Sequence, residues 1–178
     1  MDEKLLPIIA VERLRMATDG PGVRTLVCTC GCPMRCRYCL NPQSWDGRVS
    51  PKLLSARQLY ERVRIDGLYF QATGGGVTFG GGEPLLHMAG IRAFADICPE
   101  DWSLWAETSL YVSWAEAESA FEGFDHLIVD LKTTDEGIYK AYTGCDMEPA
   151  VNNLLYLRDI LGPERITVRL PLIPGYAD

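Results

Sequence analysis

A chain of 178 residues, 47% hydrophobic and with four Trp, is long enough for one domain with a substantial core. Its net charge of −7, with no basic block to offset it, argues against a nucleic-acid face, and no apolar run approaches the roughly 18 residues of a membrane span. Met1-Asp2-Glu3-Lys4 is not a secretory signal, and seven cysteines, an odd number with three clustered, point to a reducing cytoplasm rather than a disulfide framework.

Residues 1–22 mix polar and apolar types and close on Asp19-Gly20-Pro21-Gly22, which reads as a turn. Val23 to Cys30 is β-branched and apolar, a short buried strand. Ser50 to Ala72 is expected to be helical, with Leu53, Leu54, Leu59 and Val63 as a rough apolar stripe and Ser55 as a cap. Val77 to Phe79 is a strand that runs into Gly80-Gly81-Gly82-Glu83-Pro84. Glycines there let backbone approach a ligand, but no Gly-Lys-Ser/Thr follows, so this is not a P-loop.

His87 to Cys98 is helical and closed by Pro99. Ser103 to Glu107 is a strand ending in Glu107-Thr108. Ser113 opens a helix with Glu116 completing a capping box. Leu127 to Leu131 is a strand ending in Asp130-Leu131-Lys132. Thr133 and Glu136 suggest the cap of a helix that carries Ile138, Tyr139 and Tyr142 and stops at Gly144. Ala150 to Leu161 is a helix ended by Gly162-Pro163, and Ile166 to Leu172 is the last strand. Strands alternating with helices mean parallel βα units, an α/β fold.

The chemistry is concentrated in Cys32-x3-Cys36-x2-Cys39. One short loop aims three sulfurs at one region, one fewer than the four that saturate an iron–sulfur cluster, and an open metal position is where chemistry happens. No second Cys or His pair completes a zinc signature: His87 and His126 are isolated, and Cys98 and Cys145 stand alone. Three reduced core cysteines, or part of a structural zinc site, is the bland alternative. Cys28 and Cys30 permit other triplets, although the strand places both on one of its faces before the loop begins. The cysteine loop, Gly81–Glu83, Glu107–Thr108, Asp130–Lys132 and Arg169 all fall at or near C-terminal strand ends, the face where parallel βα barrels build their sites.

Gly31-Cys32-x3-Cys36-x-Tyr38-Cys39-x-Asn41-Pro42 resembles the signature of the radical S-adenosylmethionine (SAM) family, and within it the glycyl-radical-enzyme activating enzymes of the pyruvate formate-lyase activase kind. Asp19-Gly-Pro-Gly22, Gly81-Gly82-Glu83, Tyr139-x3-Thr143-Gly144 and Arg169-x-Pro-x-x-Pro-Gly-Tyr176 support the likeness in the right order. The resemblance implies a partial (β/α) barrel and a [4Fe–4S] cluster on Cys32, Cys36 and Cys39, with SAM on the fourth iron. It implies that Gly81, Gly82 and Glu83 hold the methionyl amino group and that Tyr38 packs near the adenine. Lys132 and Arg169 would hold the SAM carboxylate or ribose. Glu107, Thr108 and Asp130 would hold a monovalent cation, and Asp19 would meet the backbone of a glycyl loop. The partners implied are a glycyl radical enzyme as protein substrate and flavodoxin or ferredoxin as electron donor.

The 34 or so residues from Cys39 to Thr73 are too few for a ferredoxin-like insert, so residues 1–178 are expected to form a single domain with one cluster. About five parallel strands are expected where relatives have six. The last βα unit is expected to be missing, which would leave an unpaired edge and weaken activity. An anaerobic ribonucleotide reductase activase is disfavoured by Leu40-Asn41-Pro42 and Glu83, and a 7-carboxy-7-deazaguanine synthase by the Tyr-x3-Thr-Gly segment. A non-catalytic protein holding zinc or a cluster is the reading from another class.

Overall fold

The computed structural model describes residues 4–174. The motif residues Gly175 and Tyr176 lie outside them. A mixed sheet of seven strands is ordered β3-β1-β2-β4-β5-β6-β7. Five of them form the parallel run: β2 (Arg24–Thr29), β4 (Gly76–Gly81), β5 (Ser103–Thr108), β6 (His126–Asp130) and β7 (Ile166–Arg169). This is the expected partial barrel with five parallel strands, and the sheet is open. Two antiparallel strands were not expected. β1 (Leu6–Arg15) pairs with β2 across two irregularities, and β3 (Lys52–Leu54) pairs with the start of β1.

The segment expected as one helix from Ser50 is therefore divided. Its start is β3. Ser55 then caps α1 (Ala56–Val63) through a capping box with Gln58, a 3-10 turn follows, and α2 (Gly67–Thr73) ends at Gly74 in the left-handed conformation. The remaining helices follow the reading closely: α3 (Met88–Ala95), α4 (Trp114–Ser119), α5 (Glu136–Thr143) and α6 (Glu148–Leu161). Ser113 and Glu116 form the expected box on α4. The cap of α5 is Asp135, which accepts from the Ile138 amide, while Thr133 Oγ1 accepts from the Asp135 amide.

Period-two alternation divides the sheet into two unlike faces. Val27, Val77, Phe79, Ala106, Leu127 and Val129 pack against the helices in one core. The residues between them turn to the concave face: Arg24, Thr78, Trp105, Glu107, His126, Asp130 and Arg169. Leu26, Cys28 and Ile128 share that face, which is otherwise polar and aromatic. Arg24 is fully buried on it, donating to Thr78 Oγ1, Ser103 Oγ and the carbonyls of Val77 and Ser103, with its guanidinium 5.0 Å from the Trp105 ring centroid.

The helical layer is tied to β1 and β2 by Asp66. Its buried carboxylate accepts from Arg13 Nε and Nη2 and from Thr25 Oγ1. Asp66→Ala leaves the buried Thr25 hydroxyl without its acceptor. The expected loss is about 1–3 kcal/mol of unfolding free energy, read as a lower urea midpoint at unchanged slope.

Candidate functional site

The cysteine loop has no regular structure, so other elements must hold it. Where β2 ends, the Cys30 amide donates to the Pro7 carbonyl at 2.8 Å and the Gly31 amide to the Ser44 carbonyl at 2.7 Å. In return, the carbonyls of Thr29 and Gly31 accept from the amides of Gly82 at 3.0 Å and Glu83 at 2.7 Å. These bonds join the glycine motif to the cysteine loop. A Cβ on Gly82 would lie 2.3 Å from the Gly31 carbonyl oxygen, so only glycine permits the approach.

The far side of the loop is fastened to the end of α5. The amides of Arg35 and Arg37 donate to the carbonyls of Thr143 and Tyr142, each at 2.9 Å. These are last-turn carbonyls that the helix cannot satisfy itself. Met34 is buried with Tyr139 and Ala150, and Cys32, Cys36 and Cys145 pack against this group. Tyr38 lies on Tyr142 with ring centroids 5.2 Å apart.

Cys32, Cys36 and Cys39 are the residues that could hold a metal cluster. Cys28 is buried on β2, and the Cys30 thiol donates to the Ser44 carbonyl at 3.3 Å. Burial pushes the Cys32 thiol up to about 12, and Glu83, Cys36 and Cys39 add to the shift. Burial also raises Cys36, against the opposing pull of Lys132. Both thiols therefore stay protonated until a metal takes the proton's place. Among the described residues no three His, Cys, Asp or Glu side chains close on one point as a single ion would require.

Glu83 turns its carboxylate inward. It is 1% exposed and accepts from Thr108 Oγ1 at 2.6 Å, Ser109 Oγ at 2.7 Å, the Ser109 amide at 2.9 Å and the Leu85 amide at 3.2 Å. Burial raises its pKa even so, with those hydrogen bonds opposing. The side chain thus locks the end of β4 to the end of β5.

The trio Glu107, Thr108 and Asp130 is divided. Adjacent residues of a strand face opposite ways, so Thr108 goes to Glu83 while Glu107 and Asp130 meet on the concave face through Arg169. Arg169 Nε lies 2.6 Å from Asp130 Oδ1 and Nη1 lies 2.9 Å from Glu107 Oε1. Lys132 Nζ is 3.0 Å from Asp130 Oδ2. Burial would raise the Asp130 carboxyl, but Arg169 and Lys132 outweigh it and hold the group below the usual carboxylate range. Burial raises Glu107, with Arg169 opposing. Asp19, expected to meet a partner, is only 2% exposed, and its carboxylate accepts from Arg15 and Thr18.

Several contributors carry no motif. Arg15 reaches Asp19 four residues on, Ser109 reaches Glu83 across the sheet, and the Tyr142 carbonyl accepts from Arg37. His87, isolated in sequence, has Nε2 2.6 Å from the Cys30 carbonyl oxygen.

Residues 26–178 match the family described as the radical SAM superfamily. The chain is similar to the pyruvate formate-lyase-activating enzyme of Clostridium pasteurianum, with 33% identity over 154 residues covering 82% of this chain and 64% of that one. It is similar also to the (2S)-3-sulfopropanediol dehydratase activating enzyme of Klebsiella oxytoca, with 27% identity over 221 residues covering 90% and 69%. It spans 64% and 69% of the length of these curated relatives. In fold it is similar to QueE from Escherichia coli, with a TM-score of 0.54 at 15% identity covering 94% of this chain and 84% of that one.

The low pKa of Asp130 has a signed consequence. A carboxylate held below its unfolded value, near 3.9, contributes stability above that pH and loses it as pH falls through the folded pKa. Wild type is expected to exceed Asp130→Asn in urea stability at pH 6. The gap should close as pH is lowered below about 4.

Proposed function

Because the chain belongs to the radical SAM superfamily, we propose that it is a glycyl-radical-enzyme activating oxidoreductase, built as a single domain around one [4Fe–4S] cluster. The family implies both the cluster and SAM. The observation that carries the reading is the pair of bonds from Gly82 and Glu83 to the cysteine loop, since it makes two motifs about 50 residues apart one unit. Relatives named for activating a lyase and a dehydratase support a lyase or dehydratase as the protein substrate over a ribonucleotide reductase.

Cys32, Cys36 and Cys39 would each take one iron. The donor set fits: three soft ligands on one loop, protonated as they stand, with no fourth ligand from the same motif. A cluster held by these three cysteines would supply one-electron reduction of SAM, the chemistry that a hydrogen-atom abstraction from a partner's glycine would need.

The chain's own residues supply placement. The Glu83 carboxylate is buried and already accepts from Leu85, Thr108 and Ser109, so the ammonium of SAM would be met by backbone carbonyls of the motif. Lys132 and Arg169 would meet the SAM carboxylate or ribose, in competition with Asp130. Tyr38, held on Tyr142, would flank the adenine. A monovalent cation at Glu107, Thr108 and Asp130 would have to displace Arg169 from between the two carboxylates. Contact of Asp19 with a glycyl loop would require its release from Arg15. Flavodoxin or ferredoxin would deliver the electron, in an anaerobic cytoplasm. Among the described residues no helix is long and apolar enough to cross a membrane.

Anaerobic reconstitution tests the reading. About four irons per chain are expected, with a reduced EPR signal reshaped by SAM and release of 5′-deoxyadenosine. Cys36→Ala should lose the cluster signal and product formation, while Cys30→Ser keeps both. Zinc in place of iron, or product formation surviving in Cys36→Ala, would overturn the assignment.

A further inference from the structure

Tyr139 is fully buried in α5, yet its hydroxyl has no hydrogen-bond partner among the described residues. A buried hydroxyl left unpaired destabilises a fold, and phenylalanine would fill the same space without that cost. The rest of α5 is well satisfied. Asp135 caps its start, Gly144 closes its end, and Thr143 Oγ1 donates to the Tyr139 carbonyl at 2.7 Å. The orphan is therefore a local exception in a tightly determined helix.

Its surroundings identify what the hydroxyl would bond. Tyr139 shares a packed group with Met34 and Ala150, and the two first thiols of the triplet, Cys32 and Cys36, lie against that group. Cys145 and Tyr111 pack against the same group. As a neutral thiol Cys36 is a poor acceptor. As a thiolate on iron it carries negative charge and accepts well.

Resting on the cluster reading above, we infer that Tyr139 is a positioning residue for the metal centre, whose hydroxyl donates to the cluster side of the cysteine loop, at Cys36 or an adjoining sulfide. The bond stabilises the more negative, reduced state and so raises the reduction potential. The hydroxyl that costs stability in the metal-free chain becomes satisfied in the loaded one. Nothing in this role requires Tyr139 to touch SAM or the protein substrate.

Tyr139→Phe removes one oxygen and keeps the ring. In metal-free protein the urea midpoint is expected to stay level or rise. After anaerobic reconstitution the variant should bind as much iron as wild type, with a midpoint potential shifted to more negative values in an EPR-monitored redox titration. An unchanged potential at equal iron content would overturn this inference alone. So would a lower urea midpoint in the metal-free variant, because the hydroxyl would then have a partner within the protein. Wild-type protein that takes up no iron would overturn the cluster reading first and this inference with it.

Discussion

Glu83 is the constraint on which the upper face of the sheet depends. Its backbone amide holds the cysteine loop through the Gly31 carbonyl, and its carboxylate gathers Thr108, Ser109 and Leu85. An acid buried this deeply is tolerable only when donors surround it. Those donors come from the end of β5, from Ser109 just beyond it, and from Leu85 just beyond Glu83 itself. After Ser109, Leu110 adopts φ 55°, a strained value for leucine, and its amide bonds Thr108 Oγ1 while its carbonyl accepts from Asn153. One acid thereby sets the relative positions of β2, β4, β5 and α6 at the end of the sheet where the cysteines lie.

A second constraint is charge. On the concave face burial raises the pKa of Glu107, and the nearby carboxylates of Asp19, from the loop before β2, and Asp130 add to that rise. Arg169 bridges Glu107 and Asp130, and its Nη1 also reaches the Thr18 carbonyl at 3.3 Å. The register makes this possible, since Asp130 and Arg169 are direct partners across the β6–β7 ladder. A ligand that draws Arg169 away must therefore replace its charge for both acids.

Local patterns were legible in the sequence. The cysteine triplet, the cap at Ser55, the capping box at Ser113, the stops at Gly144 and Gly162, and the places of the five parallel strands along the chain follow from spacing and composition. β1 was hidden because it is bulged and has a partly exposed face, with Leu14 at φ 58° breaking the alternation. β3 is three residues long, too short to display a period. The burial of Arg24 has no signal in the sequence, since its acceptors lie on β4 and β5, more than 50 residues away. The separation of Thr108 from Glu107 was implicit in strand geometry. The burial of Asp19 was not, because it depends on Arg15 and on packing across the sheet.

That packing also decides the direction from which the concave face can be used. A Cβ on Gly20 would lie 2.8 Å from the Trp105 ring and 3.0 Å from Arg24, and one on Gly22 would meet the Gly75 amide at 2.7 Å. Thr78 Oγ1 donates to the Asp19 carbonyl at 2.7 Å. Residues 19–22 therefore lie across the N-terminal ends of β2, β4 and β5, where Arg24 and Trp105 fill the space beneath. The Asp-Gly-Pro-Gly segment has a structural task independent of any partner: it closes the lower end of the face. A ligand must then approach from the C-terminal end, where the cysteine loop, the glycine motif and the Arg169 pairs already converge.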